Sequence, residues 1–181
     1  LVVIRPADAN ETVEAWKYAI NHIGGPVALI LTRQKLPILD QNKYGSAKGL
    51  QYGAYIVKNS VVKPDLLLIA TGSEVSLSLK AAEQLDAEGK NVRVISFPSW
   101  EIFEQQSDEY KNQILPAEIK TRVSVEMGIG MGWQKYIGDF GEAISIETFG
   151  ASAPDNILYE KYGFAVENVV VTAKRVLSKT L

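Results

Sequence analysis

Asp65-Leu66-Leu67-Leu68-Ile69-Ala70-Thr71-Gly72-Ser73-Glu74-Val75 is the most informative stretch of this sequence. Its unbroken apolar run is typical of a buried β-strand, and the polar residues that follow predict a tight turn. After the turn, apolar residues repeat at helical spacing, at Val75, Leu79, Ala82 and Leu85. Gly89 is expected to end that helix. A strand, a turn and a helix in this order form the repeating unit of α/β folds.

Further strand and helix patterns surround this unit. Patterns typical of strands occupy Ala54–Lys58, Asn91–Ser96, Thr121–Glu126 and Ala143–Thr148. Helices are predicted around Ile102, over Tyr110–Leu115, through Trp133 and Tyr136, and in two final segments, the second of which starts near Val166. Because strands alternate with helices, we predict an open, mainly parallel α/β sheet with helices on both faces.

Residues 1–36 predict a helix and a strand that precede this sheet. Asn10 is a suitable N-cap, and the helix should end at Gly24-Gly25. Its predicted apolar face consists of Val13, Trp16 and Ile20. Val27–Leu31 is an unbroken apolar run, typical of a parallel strand covered on both faces. Turn-forming residues replace the periodic pattern over 37–53, which predicts a linker between this segment and a unit formed by residues 54–181.

The composition limits the classes of function. The 181 residues are 46% hydrophobic, enough for a core, and the 19 basic and 21 acidic side chains are intermixed. We therefore expect neither nucleic acid nor a membrane as partner. No cysteine is present, which excludes a disulfide and a Cys-based metal site and fits a reducing cytoplasm. The apolar start at Leu1, without an initiator Met, leads us to expect that the chain was cut from a longer protein.

The turn Thr71–Glu74 could hold an anion, because backbone N–H groups and the helix dipole meet there. It matches neither of the common glycine-rich phosphate motifs. Ser73 could equally be an ordinary N-cap, with Glu74 complementing the dipole. Both interpretations stay open at this level, and the N-cap is favoured.

Gly128-Ile129-Gly130-Met131-Gly132 follows a predicted strand and superficially suggests a nucleotide-binding loop. The glycine spacing of that motif is incomplete, and no acidic residue is convincingly placed to bind a ribose. Room for the backbone in a tight turn explains these glycines better.

Few side chains are candidates for chemistry. His22 is the sole histidine and cannot assemble a His-rich metal site, so a surface role near a helix end is favoured. Glu126 and Glu147 lie near strand ends, where paired carboxylates could perform acid–base work, but the sequence does not bring them together. Arg33 follows the predicted strand Val27–Leu31, at the edge where α/β sheets bind ligands. It could bind a phosphate there or form a salt bridge across the linker.

Seven short motifs, in this order, resemble the C-terminal end of the transketolase family. They are distributed along nearly the whole chain. They consist of Arg5-Pro6-Ala7-Asp8, Leu31-Thr32-Arg33-Gln34 with Leu36-Pro37, Ala70-Thr71-Gly72-Ser73-Glu74-Val75, Val94-Ile95-Ser96-Phe97-Pro98-Ser99, Val125-Glu126-Met127-Gly128, Thr148-Phe149-Gly150-Ala151-Ser152-Ala153-Pro154, and Tyr162-Gly163-Phe164-Ala165-Val166-Glu167-Asn168-Val169.

This resemblance implies a domain organisation and a reaction. Residues 1–36 would be the end of a pyrimidine-binding domain, residues 37–53 a linker and residues 54–181 a transketolase C-terminal domain. The family moves a two-carbon ketol unit between phosphorylated sugars in the pentose phosphate pathway, with thiamine diphosphate and Mg²⁺ or Ca²⁺ as cofactors. The full-length enzyme is expected to be a cytoplasmic homodimer.

The resemblance also implies which site residues this chain holds. Arg33 is similar to the arginine with which the family binds the phosphate of its sugar substrate. No catalytic, cofactor-binding or metal-binding residue carries over, because the matching family motifs lie outside this chain. We therefore expect the chain alone to bind no cofactor and to be inactive.

Two alternatives compete with this interpretation. Related thiamine-dependent enzymes, such as deoxyxylulose-phosphate synthase, would share the architecture, but Arg33 together with Phe149–Pro154 favours transketolase. A stand-alone α/β ligand-binding or regulatory module, with an anion site at Thr71–Glu74, is the alternative from another class of protein.

Overall fold

A computed structural model describes residues 1–179, and seven strands and seven α-helices lie within them. The strands are β1 (Val2–Ile4), β2 (Val27–Leu29), β3 (Tyr55–Lys58), β4 (Leu66–Ala70), β5 (Val92–Ser96), β6 (Arg122–Val125) and β7 (Glu142–Ile144). The helices are α1 (Ala9–Asn21), α2 (Glu74–Ala87), α3 (Trp100–Glu104), α4 (Asp108–Ile114), α5 (Gln134–Ile137), α6 (Asp155–Lys161) and α7 (Val166–Ser178). A 3₁₀ helix over Ala47–Tyr52 precedes β3.

The main sheet has five strands in the order β3-β5-β4-β6-β7. All neighbours are parallel except β3 and β5, which are antiparallel. The central strand β4 is buried at every position, and Leu68 pairs with Val94 on one side and Val123 on the other. A strand between two parallel neighbours, with both faces covered, has no exposed position for polar residues, which explains its apolar sequence.

Helices cover both faces of this sheet. α2 and α7 pack on one face, where Leu68 and Val94 meet Leu79 and Val176. The other face carries an aromatic cluster of Phe97, Phe103, Trp133 and Tyr136, supplied largely by α3, α5 and the segments before them. The predicted apolar face of α2 is buried, and α2 ends at a left-handed glycine, Gly89, whose φ is +80°. The predicted fold class is confirmed.

The N-terminal segment forms its own two-stranded parallel sheet, β1-β2, joined by α1. A small apolar core attaches it to the rest of the protein, with Ile4 and Ala15 packed against Leu50 of the 3₁₀ helix and Ile102 of α3. Strand β1 was not predicted from the sequence, and the predicted linker 37–53 contains the 3₁₀ helix. Both elements are short and take their stability from this contact rather than from their own pattern.

Two predictions about helix α1, its N-cap and its buried face, are wrong. Its N-cap is Asp8, whose side chain accepts hydrogen bonds from the backbone N–H groups of Glu11 at 2.9 Å and Leu39 at 2.8 Å. The predicted N-cap, Asn10, already lies inside the helix. The predicted apolar face is exposed, with 52% of Trp16 and 77% of Ile20 accessible, because the helix turns its Glu11 side toward the protein interior.

Two strand predictions are also corrected. The apolar run Val27–Leu31 was expected to be covered on both faces, but the strand ends at Leu29, its residues are half-buried, and Ile30 and Leu31 are exposed. The last strand is Glu142–Ile144, shorter and earlier than the predicted Ala143–Thr148. No helix within residues 1–179 combines the length and the apolar character that crossing a bilayer requires.

We predict that Gly132→Ala destabilises the protein by at least about 2 kcal/mol. Gly132 has a φ of +95°, and an added Cβ would lie 2.6 Å from Cζ3 of Trp100. Backbone strain of about 1–3 kcal/mol adds to the cost of displacing a packed indole. Urea unfolding measures the change in the free energy of unfolding.

Gly150→Ala is the matched control, because no heavy atom lies within 4 Å of its Cβ position. It should change the free energy of unfolding by no more than about 0.5 kcal/mol. Equal losses in the two variants would contradict the clearance role assigned to the glycine-rich loop 128–132.

Candidate functional site

Arg33 lies in a cleft between the N-terminal segment and the main domain. The residues that follow β2, Leu31–Lys35, face Ala153, Asp155 and Leu158 at the start of α6 across a cavity of about 610 Å³. The carboxyl ends of strands are where α/β proteins collect their ligands, and Arg33 lies four residues beyond the end of β2 at Leu29.

The Arg33 side chain is exposed to solvent. Within the part of the chain that the structure describes, no carboxylate lies within 4.0 Å of its guanidinium, and the salt bridge across the linker that competed with phosphate binding is not formed. Lys35 contributes a second exposed cation to the same cavity, and Asp155 the one carboxylate. An unpaired guanidinium presents planar donors that match two oxygens of a phosphate group.

Gln34, the residue next to Arg33, is held by the main domain. Its Nε2 donates a hydrogen bond to Oη of Tyr159 in α6 at 2.8 Å. Its Oε1 accepts a hydrogen bond from Oγ1 of Thr32 at 2.5 Å. The two residues that flank Arg33 are therefore joined to each other, and one of them is joined to the opposite wall of the cleft.

Tyr159 connects this loop to the interior. Its Oη donates to Oε1 of Glu74 at 3.4 Å, and its ring meets that of Phe164 edge-on, with the centroids 6.2 Å apart. Burial raises the pKa of Tyr159 above its ordinary value, so the hydroxyl keeps the proton that it donates.

Glu74 is fully buried at the start of α2 and is surrounded by donors. Its carboxylate pairs with the guanidinium of Arg5 and accepts hydrogen bonds from Oγ of Ser73 and, at 3.2 Å, from the backbone N–H of Met127. Arg5 also donates to the carbonyl oxygen of Thr71 at 3.1 Å and to its Oγ1 at 2.5 Å.

These contacts decide between the two interpretations of the Thr71–Glu74 turn. The backbone N–H groups of Gly72, Glu74 and Val75 already donate to the carbonyl oxygens of Arg5, Thr71 and Gly72. The turn also carries the buried carboxylate of Glu74, so both observations oppose an external anion there. Ser73 stands at the N-cap position but makes no side-chain capping bond, because its hydroxyl donates to Glu74 instead. The negative charge at this turn is that of Glu74, and Arg5 and the backbone of Met127 hold it from outside the turn.

The other acidic candidates, Glu126 and Glu147, both accept hydrogen bonds from the segment 130–133. Glu126 accepts from Nε1 of Trp133 at 2.5 Å and from Oγ1 of Thr71 at 3.2 Å. Glu147 accepts from the backbone N–H of Gly130 at 2.9 Å and from Oγ of Ser145 at 2.6 Å. They are held by structural partners, as expected for carboxylates that cap strand ends. His22 follows α1 and stacks on Tyr18, with the ring centroids 5.3 Å apart.

A second buried carboxylate joins the N-terminal segment to the main domain. Glu11 of α1 is almost fully buried and accepts hydrogen bonds from Oη of Tyr55 at 2.8 Å, Oγ of Ser96 at 2.6 Å and the backbone N–H of Ala7 at 2.7 Å. Burial raises the pKa of Glu11 above its ordinary value, and these three donors oppose that rise.

The fold defines an α/β domain with an open mixed sheet, to which a strand–helix–strand segment is attached. Residues 53–165 match the model of the transketolase-like TK C-terminal domain. A transketolase from Bacillus subtilis (strain 168) is 49% identical over 180 residues, which are 99% of this chain and 27% of that protein.

Solved structures agree with this match. Transketolase from Leishmania mexicana is 40% identical with a TM-score of 0.90, and the alignment covers 98% of this chain and 25% of that one. Transketolase from Pichia stipitis in complex with sedoheptulose-7-phosphate is 36% identical with a TM-score of 0.88, at the same coverage of 98% and 25%. The chain belongs to the transketolase family, as its motifs indicated, and spans about a quarter of the length of the curated relatives it matches.

The residues of this chain do not fit the cofactors of the family. Residues 1–179 bring together no group of three or more His, Asp or Glu side chains that could hold a metal ion. The one strand-to-helix turn that the sequence suggested for an anion carries the buried carboxylate of Glu74, and three of its backbone N–H groups already donate to carbonyl oxygens.

Sequence reasoning missed the network behind Arg33, which consists of Gln34, Tyr159, Glu74 and Arg5. Arg5 directly follows an apolar run, and Glu74 starts α2, where an acidic residue is common, so neither charge gives a distinctive local signal. Their pairing spans 69 positions, and that of Gln34 with Tyr159 spans 125 positions, so no local pattern connects them.

We predict that Arg5→Met lowers the free energy of unfolding by about 3–5 kcal/mol, because it leaves the buried carboxylate of Glu74 without its cation. The double variant Arg5→Met with Glu74→Gln should recover much of that loss. Urea unfolding monitored by circular dichroism provides both values.

Lys43→Met provides the control for removing a cation. Lys43 pairs with Glu83 on the surface, where 63% and 55% of the two side chains are exposed, so the loss should stay below about 1 kcal/mol. Equal losses in Arg5→Met and Lys43→Met would show that the buried pair does not hold the two parts together.

Proposed function

We propose that this chain is the C-terminal part of a thiamine-diphosphate-dependent transketolase, which transfers a two-carbon ketol unit between phosphorylated sugars. The identity of 49% to a transketolase over 99% of the chain supports the family's reaction. The share of the relatives that the chain covers supports its being one part of a longer enzyme.

We also propose the domain boundaries implied by the motifs. Residues 1–36 belong to the end of a pyrimidine-binding domain, residues 37–53 form the linker, and residues 54–181 form the C-terminal domain. Two observations support this division: β1 and β2 pair only with each other among the described strands, and the match to the C-terminal domain model begins at residue 53.

In this proposal Arg33 binds the phosphate group of the sugar substrate. The observation that carries the assignment is the exposed guanidinium, unpaired within residues 1–179, at the carboxyl end of β2 and inside a cleft of about 610 Å³. The Pichia stipitis relative has been solved in complex with sedoheptulose-7-phosphate, a phosphorylated sugar, which supports this class of ligand.

The rest of the catalytic apparatus lies on other parts of the enzyme in this proposal. Thiamine diphosphate supplies the carbanion chemistry, and this chain contributes neither cofactor nor metal ligands. The isolated chain is therefore expected to be inactive. Assembly as a homodimer and a location in the cytoplasm stay predictions. The alternative, a stand-alone module with an anion site at Thr71–Glu74, is opposed by the Glu74 carboxylate in that turn.

In the full-length enzyme, we predict that Arg33→Ala raises the KM for phosphorylated sugars and changes kcat little. The phosphate is remote from the reacting carbons, so its contact is felt alike in the ground and transition states. Losing one or two charge-assisted hydrogen bonds, at about 1.5–3 kcal/mol each and partly replaced by water, gives a net loss of roughly 2–4 kcal/mol. That loss corresponds to about 30- to 700-fold in kcat/KM, measured by steady-state kinetics.

Three controls accompany this measurement. Hydroxypyruvate with glycolaldehyde as acceptor carries no phosphate, so its turnover should be unaffected by Arg33→Ala. Arg33→Lys should rescue only part of the loss, because lysine keeps the charge without the planar fork. Lys48→Ala removes an exposed cation from the 3₁₀ helix and should leave all kinetic constants unchanged. Equal loss with both substrate types would make Arg33 a structural residue.

A further inference from the structure

The loop that carries Arg33 has one polar connection to the rest of the molecule. In the described part of the chain, the hydrogen bond from Gln34 to Tyr159 is the only one that joins Leu31–Lys35 to residues outside this loop. The chain is next anchored at Ile30, whose backbone N–H donates to Ile4, and at Leu39, whose backbone N–H donates to Asp8. The position of Arg33 between these anchors therefore depends on Tyr159.

We infer that Tyr159 is a positioning residue for Arg33, through which the C-terminal domain sets the enzyme's preference for phosphorylated substrates. This inference rests on the proposed function of Arg33. Tyr159 touches neither the guanidinium nor, in this inference, the substrate. It acts by holding Gln34, and with it the backbone on which Arg33 stands.

The direction of the hydrogen bonds shows how Tyr159 orients the side-chain amide of Gln34. The tyrosine hydroxyl donates to Glu74 and accepts from Gln34, whose NH₂ group can only donate. Gln34 then presents its NH₂ group to Tyr159 and leaves Oε1 to accept from Thr32. One hydroxyl thereby fixes the residues on both sides of Arg33.

The same network fixes Tyr159 relative to the strand that leads to Arg33. Glu74 is held by Arg5, which directly follows β1, and β1 pairs in parallel register with β2. The N-terminal segment therefore meets the main domain at two points of one edge, Arg5 and Gln34, which are bridged by Glu74 and Tyr159. A loop that is tethered in its binding geometry loses less conformational freedom when a ligand binds.

The test uses the full-length holoenzyme and the variant Tyr159→Phe, which removes the hydroxyl and keeps the ring that packs on Phe164. Losing a neutral hydrogen bond of about 0.5–1.5 kcal/mol should raise the KM for phosphorylated sugars about 2- to 13-fold. The value of kcat, and the kinetics with hydroxypyruvate and glycolaldehyde, should stay within about 2-fold.

Two further variants separate positioning from general stability. Gln34→Ala should raise the same KM by at least a similar factor, because it also removes the bond from Thr32. The double variant should match Gln34→Ala, since both single variants break the same Gln34–Tyr159 hydrogen bond. Tyr162→Phe is the matched control, because its hydroxyl donates to the carbonyl oxygen of Phe149 at 3.2 Å and has no contact with the Arg33 loop. It should leave the KM unchanged.

The outcomes distinguish this inference from the proposal beneath it. If Arg33→Ala is selective for phosphorylated substrates and Tyr159→Phe behaves like Tyr162→Phe, the positioning role is wrong and the function of Arg33 stands. Equal losses with both substrate types in Tyr159→Phe, or additive effects of Tyr159→Phe and Gln34→Ala, would also overturn it. If Arg33→Ala itself shows no selectivity, the proposed function fails first. The melting temperature of each variant is measured to check that it is folded at the assay temperature.

Discussion

The buried carboxylate of Glu74 is the constraint on which the rest of this structure depends. An ionised carboxylate without solvent is tolerated only when a cation and further donors surround it. Arg5 supplies the cation, while Ser73 and the backbone of Met127 supply the further donors. These partners come from β1, from the turn before α2 and from the loop after β6, so satisfying one side chain fixes three separate pieces of backbone. The network then extends through Tyr159 to the loop that bears Arg33.

This constraint explains why the candidate ligand group lies at a boundary. Parallel strands bring their carboxyl ends to one edge, which for β1 and β2 is the edge that faces the main domain at Arg5 and Gln34. A residue placed there is exposed to solvent, yet its neighbours can be held by buried groups of the other unit. Arg33 has this combination, and it is what phosphate recognition requires: an available guanidinium on an ordered backbone.

The sequence predicted those parts of the structure whose pattern is local. Leu66–Ala70 and α2 were recognised because burial on both faces and the helical period leave a direct signature. Arg33 was predicted to bind phosphate from its place after an apolar strand and from the family motif, and that role stays a prediction. The apolar face of α1 was predicted wrongly, since Glu11 is buried by hydrogen bonds from Tyr55 and Ser96, which lie 44 and 85 positions away. Long-range polar pairing of this kind overrides the hydrophobic pattern of a short helix and cannot be read from it.

Two buried carboxylates, Glu11 and Glu74, join the N-terminal segment to the main domain, and each of these two units supplies one of them. Glu11 reaches from α1 into the main domain, and Glu74 receives Arg5 of the N-terminal segment. The apolar contact between the units is small and centres on Ile4, Leu50 and Ile102. Apolar contacts are not directional and would permit several docking angles, whereas two hydrogen-bonded carboxylates permit few. The small core thus supplies adhesion, and the two carboxylates fix the angle at which the Arg33 loop faces α6. The main domain can in this way determine how precisely the Arg33 loop is held.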